Sequence, residues 1–396
     1  MDLITLTQKL IQQPSITPAK DDDAGRIAGK TSALNGCFDL LEAELTKLGF
    51  TCQRVVFDEP GFPSIPNLYA SLGSGAPHLN FLGHVDVVPP GDVAAWTQPP
   101  FGGMIANGKI YGRGTSDMKG NIAAYVTALR DFLSTKKFSG TLSLLIVGDE
   151  ESYAVNGAPK MVQWLQKQNI GFDYCLVGEP SNPTALGQEI KNGRRGTMNA
   201  KLTVMGTQGH IAYPERFDNP VTRLGKFIAA CSGVDLDAGN EYFAPSRLEV
   251  NIIDLANRVT NVVPNKVVAG FNVRWNSEWT RETLTARLNA LCDQHLGQGN
   301  YTLELDFSGG VFLTPASHFL STIQDSVAAV VGRRPAATTH GGTSDGRFVA
   351  AICPQIVECG VTSETIHQVD ECVAVADLQA LTRIYVEILQ RLTAKP

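Results

Sequence analysis

Two histidines and a set of acids carry the chemistry this sequence can perform. His84-Val85-Asp86 closes an apolar run, and alternation along a strand points the His84 and Asp86 side chains to the same side. An imidazole that binds a metal usually hands its second N–H to a carboxylate or carbonyl, and Asp86 is placed to receive it. Asp117 lies in Y-G-R-G-T-S-D-M-K-G-N, where Gly112, Gly114 and Gly120 permit tight turns. A carboxylate offering two oxygens from such a loop suits a bridge between two cations. Asp149-Glu150-Glu151 sets three acids in a row after an apolar run, and like charges at the mouth of a sheet repel unless one is protonated or a cation lies between them. One of the adjacent glutamates would then ligate while the other reaches a bound water as general base. Glu179 ends V-G-E-P-S, and His367 stands late, in T-I-H-Q-V-D-E. With His84, Asp117 and Glu151 they form the hard nitrogen and oxygen donor set expected for paired Zn²⁺, Co²⁺ or Mn²⁺.

Other residues look chemical and are set aside. His78, His295 and His318 lie on charged or helical stretches and are expected to be structural, while His340 is open to either reading. A dinucleotide fingerprint would need glycine at 117 and finds Asp117. Gly342-Thr343-Ser344-Asp345-Gly346 satisfies G-x-S-x-G, but that elbow needs an apolar strand before it, and R-R-P-A-A-T-T-H-G is not one.

The polar tips must be delivered by strands. Residues 78–89, 140–152 and 172–181 each read as a buried strand ending in His, Asp or Glu, with helical patterns at 121–133 and 158–169 for the crossovers. In open α/β sheets, ligands bind beyond the carboxyl ends of the strands. Upstream, helical spacing marks 3–12 and 37–50, and the charged, Gly-rich stretch at 18–36 reads as an exposed loop with little packing duty. From Gly196 the texture changes to alternating strands and two helices in the order βαββαβ, before helices resume after Gly310. The expected fold is α/β. A central, mostly parallel sheet flanked by helices is built from 1–195 and 310–396, and a ferredoxin-like domain at 196–309 is inserted in it.

Composition narrows the partners. The 396 residues carry 33 basic and 39 acidic side chains, a formal net charge of −6, and no block of Lys or Arg, which argues against nucleic acid and against a polybasic membrane surface. Asp2 sits where a secretory signal would be basic, and no eighteen-residue apolar run lacks charge, so the expectation is a cytoplasmic protein without a membrane span. Eight cysteines occur without a C-x-x-C pair and are expected as reduced thiols, which leaves metal binding to His, Asp and Glu.

The runs G-H-V-D-V-V-P-P-G-D, W-x-x-P-P-F, G-R-G-T-S-D-M-K-G, G-D-E-E-S, D-Y-C-L-V-G-E-P-S, K-N-G-R-R-G-T, Q-G-H-I-A-Y-P, N-V-V-P, G-G-T-S-D-G-R-F and E-T-I-H-Q-V-D-E-C-V, in that order, resemble the M20 family of dimetal amidohydrolases and peptidases. The resemblance covers the chain from about residue 78 to its end. It implies two Zn²⁺ per subunit, with Co²⁺ as a substitute: His84 and Glu179 on one, Glu151 and His367 on the other, Asp117 bridging through a cis peptide to Met118. It implies Glu150 as the base, and Asp86, the expected partner of His84, is counted with it among the catalytic residues. It further implies a homodimer in which the inserted domain serves dimerisation or closure, and His210 reaches the partner subunit's site to steady an oxyanion. Arg194, Arg274, Asn261, Gly342 and Thr343 match positions that contact substrate. The narrower runs K-N-G-R-R-G-T and G-G-T-S-D-G-R-F imply hydrolysis of N-succinyl-LL-2,6-diaminopimelate to succinate and LL-2,6-diaminopimelate, a step of lysine and diaminopimelate biosynthesis. Acetylornithine deacetylation or carboxypeptidase action are the alternatives within the family.

Overall fold

The computed structural model describes residues 1–393; residues 394–396, the end of the expected catalytic span, lie outside them. The chain divides into two compact units. Met1–Gly193, Leu313–Thr338 and the chain from Ser344 onward form the first, and Arg194–Phe312 with Thr339–Thr343 form the second.

In the first unit an eight-stranded sheet runs in the order Thr51–Phe57, Ile65–Ser74, Gly140–Val147, His78–His84, Tyr174–Val177, Ile356–Glu358, Glu189–Lys191, Ala336–Thr338. The His78–His84 strand is parallel to both neighbours, and Ile356–Glu358 is parallel to Tyr174–Val177. Strands in such a centre are covered on both faces, and every residue from Leu142 to Val147 is buried accordingly. Because the central strands share one direction, their carboxyl ends open on one edge of the sheet.

Around this sheet lie helices α1 (Leu3–Ile11), α2 (Ala24–Lys47), α3 (Lys119–Thr135), α4 (Ala158–Lys167), α7 (His318–Val331), the single turn α8 (Gly346–Val349) and α9 (Val375–Thr393). Helix α1 packs on α3, α3 on α9 and α9 on α7. An aromatic cluster fastens them: Phe81 of the central strand stacks on Tyr125 of α3 at 4.1 Å, and Tyr385 of α9 meets both rings edge-on. The Tyr385 hydroxyl, fully buried, donates to the Cys359 carbonyl at 2.6 Å.

One expectation is corrected here. The stretch at 18–36 is a loop only as far as Asp23, which caps α2 by accepting the Arg26 N–H at 2.9 Å, and the helix then runs without a break to Lys47. Once the apolar face of its second half is docked, adding turns toward the cap is cheap, so Gly25 and Gly29 are tolerated. Gly36 has a positive reason: a Cβ there would lie 2.3 Å from the Gln13 side chain, so glycine lets α2 approach the segment after α1.

The second unit holds a four-stranded antiparallel sheet in the order Arg247–Asp254, Lys266–Trp275, Gly196–Met205, Tyr301–Gly309, with α5 (Pro220–Cys231) and α6 (Arg281–Leu296) between strands. In chain order this is βαββαβ with the ferredoxin-like arrangement. Alternation is clean in Lys266–Trp275, whose Val267, Ala269, Phe271, Val273 and Trp275 are buried in one cluster with Leu224 and Phe227 of α5 and Leu284 and Leu288 of α6. Thr280 caps α6 in a reciprocal pair with Thr283. Arg247–Asp254 is an edge strand, and Ile252 and Ile253 stand 58% and 61% exposed on it.

Candidate metal centre

His84 is the last residue of the central strand and has 1% of its surface exposed. Its Nδ1 lies 2.9 Å from the Asp86 backbone carbonyl and 3.6 Å from the Asp86 carboxylate. That pairing fixes the ring so that Nε2 faces outward, to Asp117 Oδ1 at 3.0 Å and Glu179 Oε1 at 3.6 Å. The Asp86 side chain itself turns to the neighbouring strand end and accepts the Glu150 and Glu151 N–H groups at 3.1 and 3.0 Å. It sets the backbone of both glutamates and does not reach outward itself.

Asp117 precedes α3, and its peptide bond to Met118 is cis. The two Asp117 oxygens face different histidines: Oδ1 meets His84 as above, and Oδ2 lies 3.5 Å from His367 Nε2. His367 has a left-handed backbone (φ 61°) on an exposed turn, and its Nε2 also lies 3.0 Å from Glu151 Oε1. Donor atoms of His84, Glu150 and Glu179 lie within 4.8 Å of one another, as do those of His84, Asp117 and Glu151. Seven residues singled out in the sequence, His84, Asp86, Asp117, Glu150, Glu151, Glu179 and His367, thus meet at one sheet edge.

The charges in this cluster are interdependent. Burial pushes the Glu150 and Glu179 carboxyls well above the usual range, with repulsion from Asp117 added at both. Burial also raises Glu151, partly offset by its hydrogen bond to His367. For Asp117 burial works the same way, but hydrogen bonds from His367 and His84 outweigh it and hold the carboxyl below its ordinary value. His367 is pushed up to about 10 by its hydrogen bonds to Asp117 and Glu151. At His84 burial disfavours the charged ring, yet the Asp117 hydrogen bond and the charge of Glu179 prevail and raise it. So many carboxyls in one place need counter-charge. Imidazole nitrogens and carboxylate oxygens converging from separate segments are the donor chemistry that fits a pair of divalent cations.

Sequence reasoning missed the residues that support this arrangement. Glu371, fully buried, pairs with Arg113 at 2.8 Å and accepts the N–H groups of Gly114, Ser116 and Asp117. The available signal was an acid in V-D-E-C beside an arginine in G-R-G, too little to join them across the chain. Ser344 is not a nucleophile: it is buried, and its hydroxyl donates to the buried Glu358 carboxylate at 2.6 Å. His78 is structural, bonded to Ser143 at 2.8 Å and set edge-on to Phe172.

The other expected site residues belong to the second unit. His210 is exposed on the two-residue strand Gly209–His210, which pairs with Val262–Val263, and its Nδ1 accepts the Ala212 N–H. Arg194 is buried, and its guanidinium donates to the His340 carbonyl. Arg274 lies opposite Thr197 on one side and Arg247 on the other. The Asn261 carbonyl accepts the Ile211 N–H at 3.1 Å. Gly342 is exposed, and the buried Thr343 hydroxyl has no partner among the described residues.

An α/β sheet with carboxylates and histidines gathered at its carboxyl edge, joined to a ferredoxin-like unit, defines the class of metal-dependent hydrolases. The chain belongs to peptidase family M20/M25/M40, whose model matches residues 81–391. It is 44% identical over 392 residues to the succinyl-diaminopimelate desuccinylase of Methylorubrum populi, covering 98% of this chain and 97% of that one. It is 46% identical over 391 residues to the protein of the same name from Rhodospirillum centenum, again covering 98% and 97%. Among solved structures the fold matches the aminopeptidase PepT of Bacillus cereus, with a TM-score of 0.75 at 20% identity and 98% of each chain covered. It also matches the YXEP protein of Bacillus subtilis, described as a dinuclear metal binding peptidase of the M20 family, with a TM-score of 0.64 at 14% identity over 98% of this chain and 96% of that one.

Proposed function

We propose that this chain hydrolyses N-succinyl-LL-2,6-diaminopimelate to succinate and LL-2,6-diaminopimelate. One observation carries the chemistry: the two oxygens of Asp117 face His84 and His367, with Glu179 beside the first histidine and Glu151 beside the second. Identity of 44–46% along nearly the whole chain to two desuccinylases supports the substrate.

His84 and Glu179 would hold one Zn²⁺, Glu151 and His367 the other, and Asp117 both, with Co²⁺ as a substitute. Bound there, the metals would polarise the amide carbonyl and bring the pKa of a water toward neutrality. Glu150 takes the water proton and passes it to the leaving amine, while Asp86, holding both glutamate N–H groups, keeps Glu150 in place. Glu151 is the better ligand of the two because it already shares the His367 contact. His210 of the partner subunit would donate to the oxyanion. The guanidinium groups of Arg194 and Arg274 suit planar carboxylates, with Asn261, Gly342 and Thr343 completing the grip on an anionic substrate.

The protein is proposed to act as a homodimer in the cytoplasm. The exposed apolar edge strand supports the first, and the second is supported by eight cysteines that are all free thiols. No helix among the described residues is long and apolar enough to cross a membrane. The test is turnover of the succinyl substrate before and after chelation. Activity should vanish on chelation and return with Zn²⁺ or Co²⁺. Equal or better turnover of acetylornithine would overturn the substrate assignment.

A further inference from the structure

Glu371 has no exposed surface, and its two oxygens are taken by four donors. Arg113 Nη1 lies at 2.8 Å, and the N–H groups of Gly114, Ser116 and Asp117 at 3.1, 3.0 and 3.2 Å. Holding the N–H groups of Ser116 and Asp117 restricts the Ser116 torsions between them, and so the place from which the Asp117 side chain starts. Gly114 permits the close approach: its φ is +90°, and a Cβ there would lie 2.8 Å from Val87.

The same segment carries His367. Its turn is closed by Thr365, whose hydroxyl donates to the Cys372 carbonyl and accepts the Cys372 N–H, both at 3.1 Å. Across the seam, Ser116 Oγ donates to the Cys372 carbonyl at 3.1 Å and Gly112 N–H donates to the Glu371 carbonyl at 2.9 Å. The Asp117 loop and the His367 turn therefore share one hydrogen-bonded junction, with the Glu371 carboxylate at its centre.

We infer that Glu371 is a positioning residue for the metal pair, setting the spacing between Asp117 and His367 and hence the affinity for the ion these two share. The inference rests on the dimetal reading of the site. Glu371 touches neither substrate nor the reacting atoms; it acts through the backbone of the loop. An amide in its place has one acceptor oxygen for three N–H groups and turns an NH₂ toward donors, so the loop relaxes.

The test uses the full-length protein with the Glu371→Gln, Arg113→Lys and His367→Ala substitutions, each titrated with Zn²⁺ by calorimetry and assayed on the succinyl substrate. Glu371→Gln should weaken the second binding event about 10- to 100-fold, the usual effect of losing a group that orients a ligand, and weaken the first by less, because His84 and Glu179 still hold that ion beside Asp117. Its kcat should fall at limiting Zn²⁺ with KM nearly constant, and added Zn²⁺ should restore it. A merely structural role would lower the melting temperature while leaving both binding events as in the parent, and that result overturns the inference. If Glu371→Gln does not fold, Arg113→Lys decides: a weakened second event supports the inference, and an unchanged one overturns it. His367→Ala separates the two readings. Should it keep both binding events, the dimetal reading itself falls; should it lose the second while Glu371→Gln keeps both, only the role of Glu371 falls.

Discussion

Glu150 and Glu151 are neighbours in sequence whose backbones are held by the same group, yet their side chains meet different surroundings. Glu151 lies against His367, whereas burial and the charges of its neighbours are what act on Glu150. On the proposed mechanism, Glu150→Gln keeps its shape and loses the ability to take a proton. It should bind Zn²⁺ with the parent stoichiometry while kcat drops about 10²- to 10⁴-fold. Metal analysis alongside turnover checks this, and a variant with full metal and undiminished kcat would remove Glu150 from the mechanism. The cluster itself is legible in the sequence because His84, Glu150, Glu151 and Glu179 each follow an apolar run, and strand ends in a parallel sheet must gather. Glu371 is not legible in that way. Three of its four partners are peptide N–H groups, which every residue but proline offers, so no side-chain pattern records them.

At the scale of elements, the strands with one clear period declare themselves. Lys266–Trp275 alternates without fault, and Gly140–Val147 is a short apolar run bounded by turns. Helix α2 hides because its first turns, from Ala24 to Ser32, have no buried residue and therefore no apolar stripe to read. What remains visible there is the cap, and Asp23 is also bonded to the Arg26 side chain at 2.9 Å. Asp23→Ala should be felt as faster amide exchange over the first turns of α2, with only a small loss of overall stability. Turnover should not change, since this end of the helix carries no site residue. Exchange as slow as in the parent would mean that packing of the later turns, and not the cap, holds the start of the helix.

For the whole molecule, the decisive contrast is between a site assembled from one unit's own segments and a residue, His210, that is exposed on the other unit. An exposed ring is poorly placed for oxyanion chemistry unless something excludes water around it, and a second copy of the chain can do so. The edge strand Arg247–Asp254 offers the means at its far end: the Leu248 carbonyl and the Val250 N–H are already bonded to Gly233 and Ser232, and beyond them Ile252 and Ile253 present exposed apolar surface. On the proposed homodimer, Ile253→Lys should shift the protein toward monomer in sedimentation and lower activity at dilute concentration. Trans action makes a sharper demand. Glu150→Ala and His210→Ala homodimers should each be nearly inactive. In a mixed dimer, the site that keeps its own Glu150 receives an intact His210 from its partner, so dissociating and reassociating the two variants together should recover activity that neither has alone. If the mixture stays as inactive as its parts while sedimenting as a dimer, His210 does not act across the interface, and the second unit's role reduces to holding two copies together.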